Sequence, residues 1–278
     1  MFPIRAAEPL CATITRFLIE APLVARKWRA GQFVIVRVAE GGERIPLTVV
    51  EAFPDGRITL IVQAVGKTTR QLCALQAGEA LLDVLGPLGN PTLVEHHGRV
   101  ACVGGGVGTA EMLPIARALK AAGNEVHAIV GARGRDLLIL DREMAACADS
   151  LTLTTDDGSR GRPGLVTGPL RELLEALPGL DAVYAIGPLS MMRAAAEATR
   201  PFGVKTYVSL NAIMLDGTGM CGGCRVTVAG ETCFACVDGP EFDGHAVDFE
   251  ELRRRNASYA EHERLADERW RAGCASGA

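Results

Sequence analysis

The chain has 278 residues, 48% of them hydrophobic and 22% charged, with 29 Lys and Arg against 33 Asp and Glu and a formal net charge of −4. That length suits two compact domains plus an appendage; the composition excludes disorder, and the absence of a basic stripe argues against nucleic-acid binding. Nine cysteines, an odd count with Cys11, Cys73, Cys102 and Cys147 scattered in apolar runs, argue against a disulfide framework, and no run approaches the roughly 18 apolar residues of a membrane span or forms a signal-peptide core, so a cytoplasmic protein with free thiols and no membrane or nucleic-acid partner is expected.

From about residue 5 to 95 the chain reads as short β-rich runs separated by turns: CATITRFLIEA, GQFVIVRVAE, RIPLTVVEAF, GRITLIVQAV and EALLDVLGPLG. Spacings of about 8 to 12 residues predict an antiparallel barrel or sandwich over 1–95. Beyond His96–Gly98 the texture changes. RVACVGGG, the helix-like TAEMLPIARALKAAG, EVHAIVGAR, the helical LLILDREMAAC, SLTLTTDDG, the helical GPLRELLEAL, AVYAIGP and the helical SMMRAAAEATRPFG form a βαβ series. That series predicts a parallel-sheet α/β domain over 96–205. Residues 206–248 hold a cysteine-rich segment, and 249–278 a charged helical tail with Leu252, Tyr259, Leu265 and Trp270 as its apolar anchors.

The cysteine-rich segment, DGTGMCGGCRVTVAGETCFACVDGPEFDGH, pairs Cys221 with Cys224 and Cys233 with Cys236 at the same spacing. Soft thiolates so arranged select zinc or an iron–sulfur cluster. A zinc site would use all four. However, RVTV–AGE–TCFAC reads as a hairpin turning at Gly230, and in an unbroken strand over 232–236 Cys233 and Cys236 would face opposite sides, so one alone could reach the metal. Asp216, in a glycine-rich loop five residues before Cys221, is then available as a further ligand, although a loop Asp also commonly caps a turn.

In the α/β region GGGVGTA (104–110) follows a strand and opens a helix, where backbone N–H groups and the helix dipole can receive a diphosphate. No acidic residue closes the next strand, which ends in Gly-Ala-Arg, so the dinucleotide fingerprint is incomplete. In the barrel region, the strand Arg44-Ile45-Pro46-Leu47-Thr48 and the turn Gly66-Lys67-Thr68-Thr69 offer donors for a flavin and its diphosphate. Each is equally compatible with ordinary strand and turn.

In this order the segments resemble the ferredoxin-NADP reductase superfamily: RIPLT its Arg-x-x-x-Ser/Thr flavin strand, GKTT its flavin-diphosphate turn, GGGVG its nicotinamide-diphosphate turn, and AIGPLSMM its Gly-Pro-x-x-Met-Met segment. The C-terminal segment is similar to the small subunit of NADH-dependent ferredoxin:NADP oxidoreductase, also described as sulfide dehydrogenase small subunit. That resemblance implies FAD on Arg44, Pro46, Leu47, Thr48, Gly66, Lys67, Thr68 and Thr69. It implies NAD(H) or NADP(H) on Gly106, Val107, Gly108, Arg133, Asp156 and Gly187, and a [2Fe-2S] cluster on Asp216, Cys221, Cys224 and Cys236, leaving Cys233 out. The related dihydroorotate dehydrogenase electron-transfer subunit uses four cysteines, and the resemblance places its first ligand where this chain has Asp216. Glu111 and Ile186 depart from the superfamily, which usually has Pro and Cys at those positions. The implied activity is an oxidoreductase subunit passing electrons from NAD(P)H through flavin and cluster to a larger flavin/iron–sulfur subunit in a heterodimer, and through the complex to ferredoxin. An electron-transfer subunit of dihydroorotate dehydrogenase or a hydrogenase, or a non-catalytic zinc-ribbon nucleotide-binding module, are the rival expectations.

Overall fold

The computed structural model describes residues 1–276. The expected helical tail over 249–278 therefore includes two residues that lie outside the described ones. The first domain contains β1 (Phe2–Cys11), β2 (Ile14–Glu20), α1 (Pro22–Ala25), β3 (Phe33–Arg37), β4 (Arg44–Ala52), β5 (Arg57–Gln63), α2 (Lys67–Cys73), β6 (Ala80–Leu81) and β7 (Asp83–Leu88). They make a seven-stranded antiparallel sheet in the order β6-β1-β2-β5-β4-β3-β7. Only Leu82 separates the two edge strands, and its N–H donates to the Arg37 carbonyl at 3.1 Å. The sheet thereby curls into a nearly closed barrel, with Phe17, Val34, Val36, Val49, Ile58 and Leu60 filling its interior.

The second domain runs through β8 (Arg99–Gly105), α3 (Gly108–Ala121), β9 (Glu125–Ala132), α4 (Asp141–Ala145), β10 (Ser150–Thr155), β11 (Arg162–Pro163), α5 (Thr167–Ala176), β12 (Ala182–Ile186), α6 (Leu189–Thr199) and β13 (Lys205–Ser209). Strand alternation sends Val100, Cys102, Val126 and Ala128 toward α3, and Ala101, Val103 and Ile129 toward α5 and α6. Both faces are covered, as a parallel sheet requires. Strand β13 crosses the expected boundary at 205 and carries the α/β domain to Ser209. The expected long helix over 137–147 is a 3₁₀ turn, Arg135–Leu137, followed by the single-turn α4.

The remaining elements are the hairpin β14 (Arg225–Val228) and β15 (Glu231–Phe234), the strand β16 (Glu241–Asp243), and the helices α7 (Phe249–Asn256) and α8 (Ala260–Ser276). β16 joins the α/β sheet antiparallel to β13, which gives the order β11-β10-β9-β8-β12-β13-β16. Among the described residues no helix is long and apolar enough to cross a membrane.

The hairpin turn Ala229-Gly230 has φ of +51° and +82°, the two left-handed positions of a type I′ turn. Alanine pays a steric cost there that glycine and asparagine largely avoid. Ala229→Asn is expected to stabilise the hairpin by about 1 kcal/mol, read as a raised thermal midpoint with unchanged near-ultraviolet dichroism.

Candidate cofactor and electron-transfer sites

The strand order of the α/β sheet reverses direction between β8 and β12, leaving a crevice at their carboxyl ends. The glycine-rich turn lies in it. Gly106 takes φ +57° and donates its N–H to the Gly131 carbonyl at 2.8 Å, which points the turn into α3. A Cβ on Gly108 would meet the Ile186 carbonyl at 2.5 Å and Gly187 Cα at 2.7 Å. The two loops therefore touch backbone to backbone, and Gly106, Val107, Gly108 and Gly187 stand together. Arg133 and Asp156 follow β9 and β10 directly, exposed at the same carboxyl edge.

A second cleft lies between the barrel and the α/β domain. Its barrel wall is Phe33, Pro46, Leu47 and Thr48 with Gln63 and Thr69; its opposite wall is Val107, Ala110 and Glu111 with Ser209, Leu210 and Asn211; Met214 and Pro240 close one side. Four residues expected from sequence, Pro46, Leu47, Thr48 and Thr69, thus share one cleft with Val107. Arg44, Gly66, Lys67 and Thr68 are not among its lining residues. The segment read as a turn is the N-terminus of α2, with Gly66 preceding its first residue. The Thr69 hydroxyl accepts from the Val65 and Gly66 N–H groups, both at 3.0 Å, and the Thr68 hydroxyl donates to Glu43. The Thr69 hydroxyl closes the turn, and that of Thr68 ties it to the loop before β4.

Sequence reasoning assigned no role to Glu111. It lines the cleft opposite Thr48 and is the one ionisable side chain among the lining residues described. Burial pushes its carboxyl up to about 7, and the Thr48 hydroxyl opposes that rise. The signal available in the sequence was its departure from proline at that position.

In the cysteine-rich segment the Cys224 and Cys236 thiols are 3.2 Å apart and 1% and 2% exposed. Cys221 is exposed and its sulfur accepts the Gly223 N–H at 3.4 Å. Asp216 accepts from the N–H groups of Thr218 at 2.8 Å and Cys221 at 2.6 Å, contacts that hold its carboxyl below the usual range, the Thr218 amide foremost. The strand expected over 232–236 ends at Phe234, so alternation does not govern Cys236, which lies in the following turn and reaches Cys224 from there. Cys233 instead stands opposite Val226 in the ladder and packs against the core.

Among the described residues no three His, Cys, Asp or Glu side chains are gathered closely enough to hold a metal ion. The donor set nevertheless fits an iron–sulfur cluster: two thiols in contact, a third thiol and a carboxylate on one loop, and an N–H aimed at sulfur. Gly217, Gly219 and Gly222 at φ +74°, +82° and +65° give that loop the left-handed conformations needed to wrap a compact group.

Comparison with known proteins gives the same picture. Residues 211–248 match the iron-sulfur cluster binding domain of dihydroorotate dehydrogenase B. A dihydroorotate dehydrogenase B (NAD(+)), electron transfer subunit homolog of Thermotoga maritima is 50% identical over 255 residues, covering 91% of this chain and 90% of the relative. The corresponding electron transfer subunit of Geobacillus kaustophilus is 36% identical, covering 85% and 94%. A chain from the NADH-dependent reduced ferredoxin-NADP oxidoreductase structure, solved for insight into flavin-based electron bifurcation, superposes with a TM-score of 0.92 at 46% identity, covering 97% of this chain and 98% of that one.

Gly108→Ala is expected to cost about 1–3 kcal/mol through the backbone clash with Ile186 and Gly187. A lower thermal midpoint and weaker nicotinamide-dinucleotide binding in calorimetric titration check it; unchanged values would show that the loops separate freely.

Proposed function

This chain belongs to the family of dihydroorotate dehydrogenase B electron-transfer subunits, and from that premise we propose that it draws electrons from NADH or NADPH and passes them through FAD and a [2Fe-2S] cluster to a larger flavin/iron–sulfur subunit. The observation that carries this reading is the composition of the barrel-side cleft: one cleft is walled by the barrel, by the nucleotide turn, and by Met214 and Pro240 of the cysteine-rich segment. A flavin lodged there would lie against both the nicotinamide site and the segment that begins two residues later with Asp216.

When bound, FAD supplies a hydride acceptor that can release electrons singly, and the cluster stores one electron at a time. The protein supplies binding and orientation. Pro46, Leu47 and Thr48 form the wall for the flavin ring, with Arg44 and the Gly66-Lys67-Thr68-Thr69 segment assigned to its phosphates. The amides of Val107 and Gly108 receive the nicotinamide diphosphate, Gly106 shaping the turn that presents them, with Arg133, Asp156 and Gly187 at the rim of that crevice. Asp216, Cys221, Cys224 and Cys236 hold the cluster. Glu111, its carboxyl pushed up to about 7 by burial, can hold or release a proton beside Thr48 near neutral pH.

The strong whole-chain similarity to the NADH-dependent ferredoxin-NADP oxidoreductase chain favours an assembly of that kind in the cytoplasm, with ferredoxin served by the partner. The names of the sequence relatives favour a second reading, a dihydroorotate dehydrogenase partner. Asp216, at the place of that branch's first ligand cysteine, weighs for the first reading. Purification of the native complex and identification of the large subunit separates the two.

Anaerobically purified, iron-reconstituted protein should show flavin and cluster absorption that bleaches with NADH; no flavin absorption would end the proposal. Cys236→Ser should abolish or severely disturb the cluster spectrum, and Cys233→Ser should preserve it. Equal loss in both would return the zinc-type four-cysteine set.

Glu111 adds a pH prediction. Its folded carboxyl sits at about 7, above the ordinary carboxylate range, so between that range and pH 7 the native state keeps a proton that the unfolded chain releases. Stability therefore falls as pH rises through this window and levels off above it. In protein stripped of flavin, Glu111→Gln should raise the thermal midpoint at pH 8 and change it little at pH 4.5; the opposite order would contradict the assignment.

A further inference from the structure

The charged tail folds back onto its own chain. α7 packs on β14 and α6, and α8 lies on α2, where Arg70 and Asp267 pair at 2.9 Å. At the end of α7 the Arg255 guanidinium donates to the Gly223 carbonyl at 3.3 Å and the Gly222 carbonyl at 3.5 Å. Those are the two residues between Cys221 and Cys224. The next residue, Asn256, donates to the Asn211 carbonyl at 3.1 Å, and Asn211 lines the flavin cleft. Two adjacent tail residues thus fasten the cluster loop and the cleft rim.

Neither contact exhausts the side chain. Arg255 Nε and Asn256 Oδ1 are both buried without a hydrogen-bond partner. A buried, unsatisfied donor on a cation is costly, and its neighbours Arg253 and Arg254 avoid that cost by facing solvent. Arg255 is held inward at the loop that carries two of the assigned ligands.

We propose that Arg255 is a positioning residue for the [2Fe-2S] cluster, its charge fixing the Cys221–Cys224 loop and favouring the reduced cluster. The inference rests on the cluster reading above. Reduction adds one electron, delivered from the flavin, and so one negative charge to the site; a fixed cation nearby stabilises the reduced form more than the oxidised one and raises the potential.

The test uses the full chain with its cluster reconstituted, comparing R255Q, R255K and the solvent-facing control R254Q by iron content and by a redox titration followed by electron paramagnetic resonance. R255Q should bind the parental amount of iron and titrate at a more negative potential, R255K should stay close to the parent, and R254Q should not move. An R255Q cluster that is intact and titrates as the parent does would overturn the proposal, as would an equal shift in R254Q. If R255Q loses iron, R255K decides: parental iron and potential support the charge-dependent hold, and loss of iron there too refutes it. A parent without iron–sulfur absorption would remove the cluster reading itself, an outcome distinct from an unshifted R255Q.

Discussion

The pairing of β16 with β13 is the constraint on which the rest of the molecule depends. Tyr207, Val208 and Ser209 pair with Asp243, Phe242 and Glu241, and the Leu210 N–H donates to the Pro240 carbonyl at 2.9 Å. The cysteine-rich segment is thereby a loop whose two ends leave and rejoin one sheet edge. Its path must pass Met214 on the way out and Pro240 on the way back, which puts both in the cleft. The barrel is tied to the same point. Asn90 donates its backbone N–H to the Gly239 carbonyl at 2.7 Å and its amide to the Val237 and Asp238 carbonyls at 3.0 Å, and Thr92 donates to Glu241 at 2.5 Å.

Packing, more than charge, holds this junction. One core carries Phe33 and Ile35 of the barrel together with Val208, Met214, Cys224, Val226 and Cys236; a second joins Ile14, Val50 and Ile61 on the barrel's outer face to α3. The ion pairs that bridge the domains, Arg16–Glu143 at 2.8 Å and Arg117–Glu51 at 3.3 Å, are 30–45% exposed and each contributes on the order of 0–1 kcal/mol. The carboxyls that do enter the interior, Glu111 and Glu241, are each met by one threonine hydroxyl, and burial pushes each up to about 7. Carboxyls that are readily neutral cost far less to bury than fixed charges.

Features written in local pattern were legible in the sequence. The β-rich runs of the barrel, the βαβ alternation and the position of the glycine-rich turn follow from period and turn chemistry, which operate over a few residues. β1 was hidden because Pro3 and Pro9 interrupt its run. The GKTT segment reads as a turn because Gly66 opens it, yet Thr69 closes it into the start of α2 through bonds that leave no periodic trace. β16 is three residues long, and no spacing rule marks a strand whose only reason to exist is a partner 32–36 residues away in sequence. Glu111 was visible only as an exception to a family pattern, since its environment comes from a strand more than 60 residues earlier.

In the cysteine-rich segment, alternation along a strand through 236 does not operate, because the strand stops at Phe234. Cys233 and Cys236 answer instead to different constraints. Cys233 is fixed by its ladder partner Val226, which is 1% exposed, and its half-buried side chain packs against the edge of the hydrophobic core. Cys236 follows the strand, and its placement is set where the turn meets the loop from Asp216. That loop has little regular structure of its own and owes its shape to left-handed glycines, the Asp216 carboxylate and Arg255. A site assembled from a turn, a loop and a returning tail has no single sequence period. Its cysteine spacing therefore announces soft-metal chemistry while leaving the choice of ligands to the way three distant pieces of chain converge.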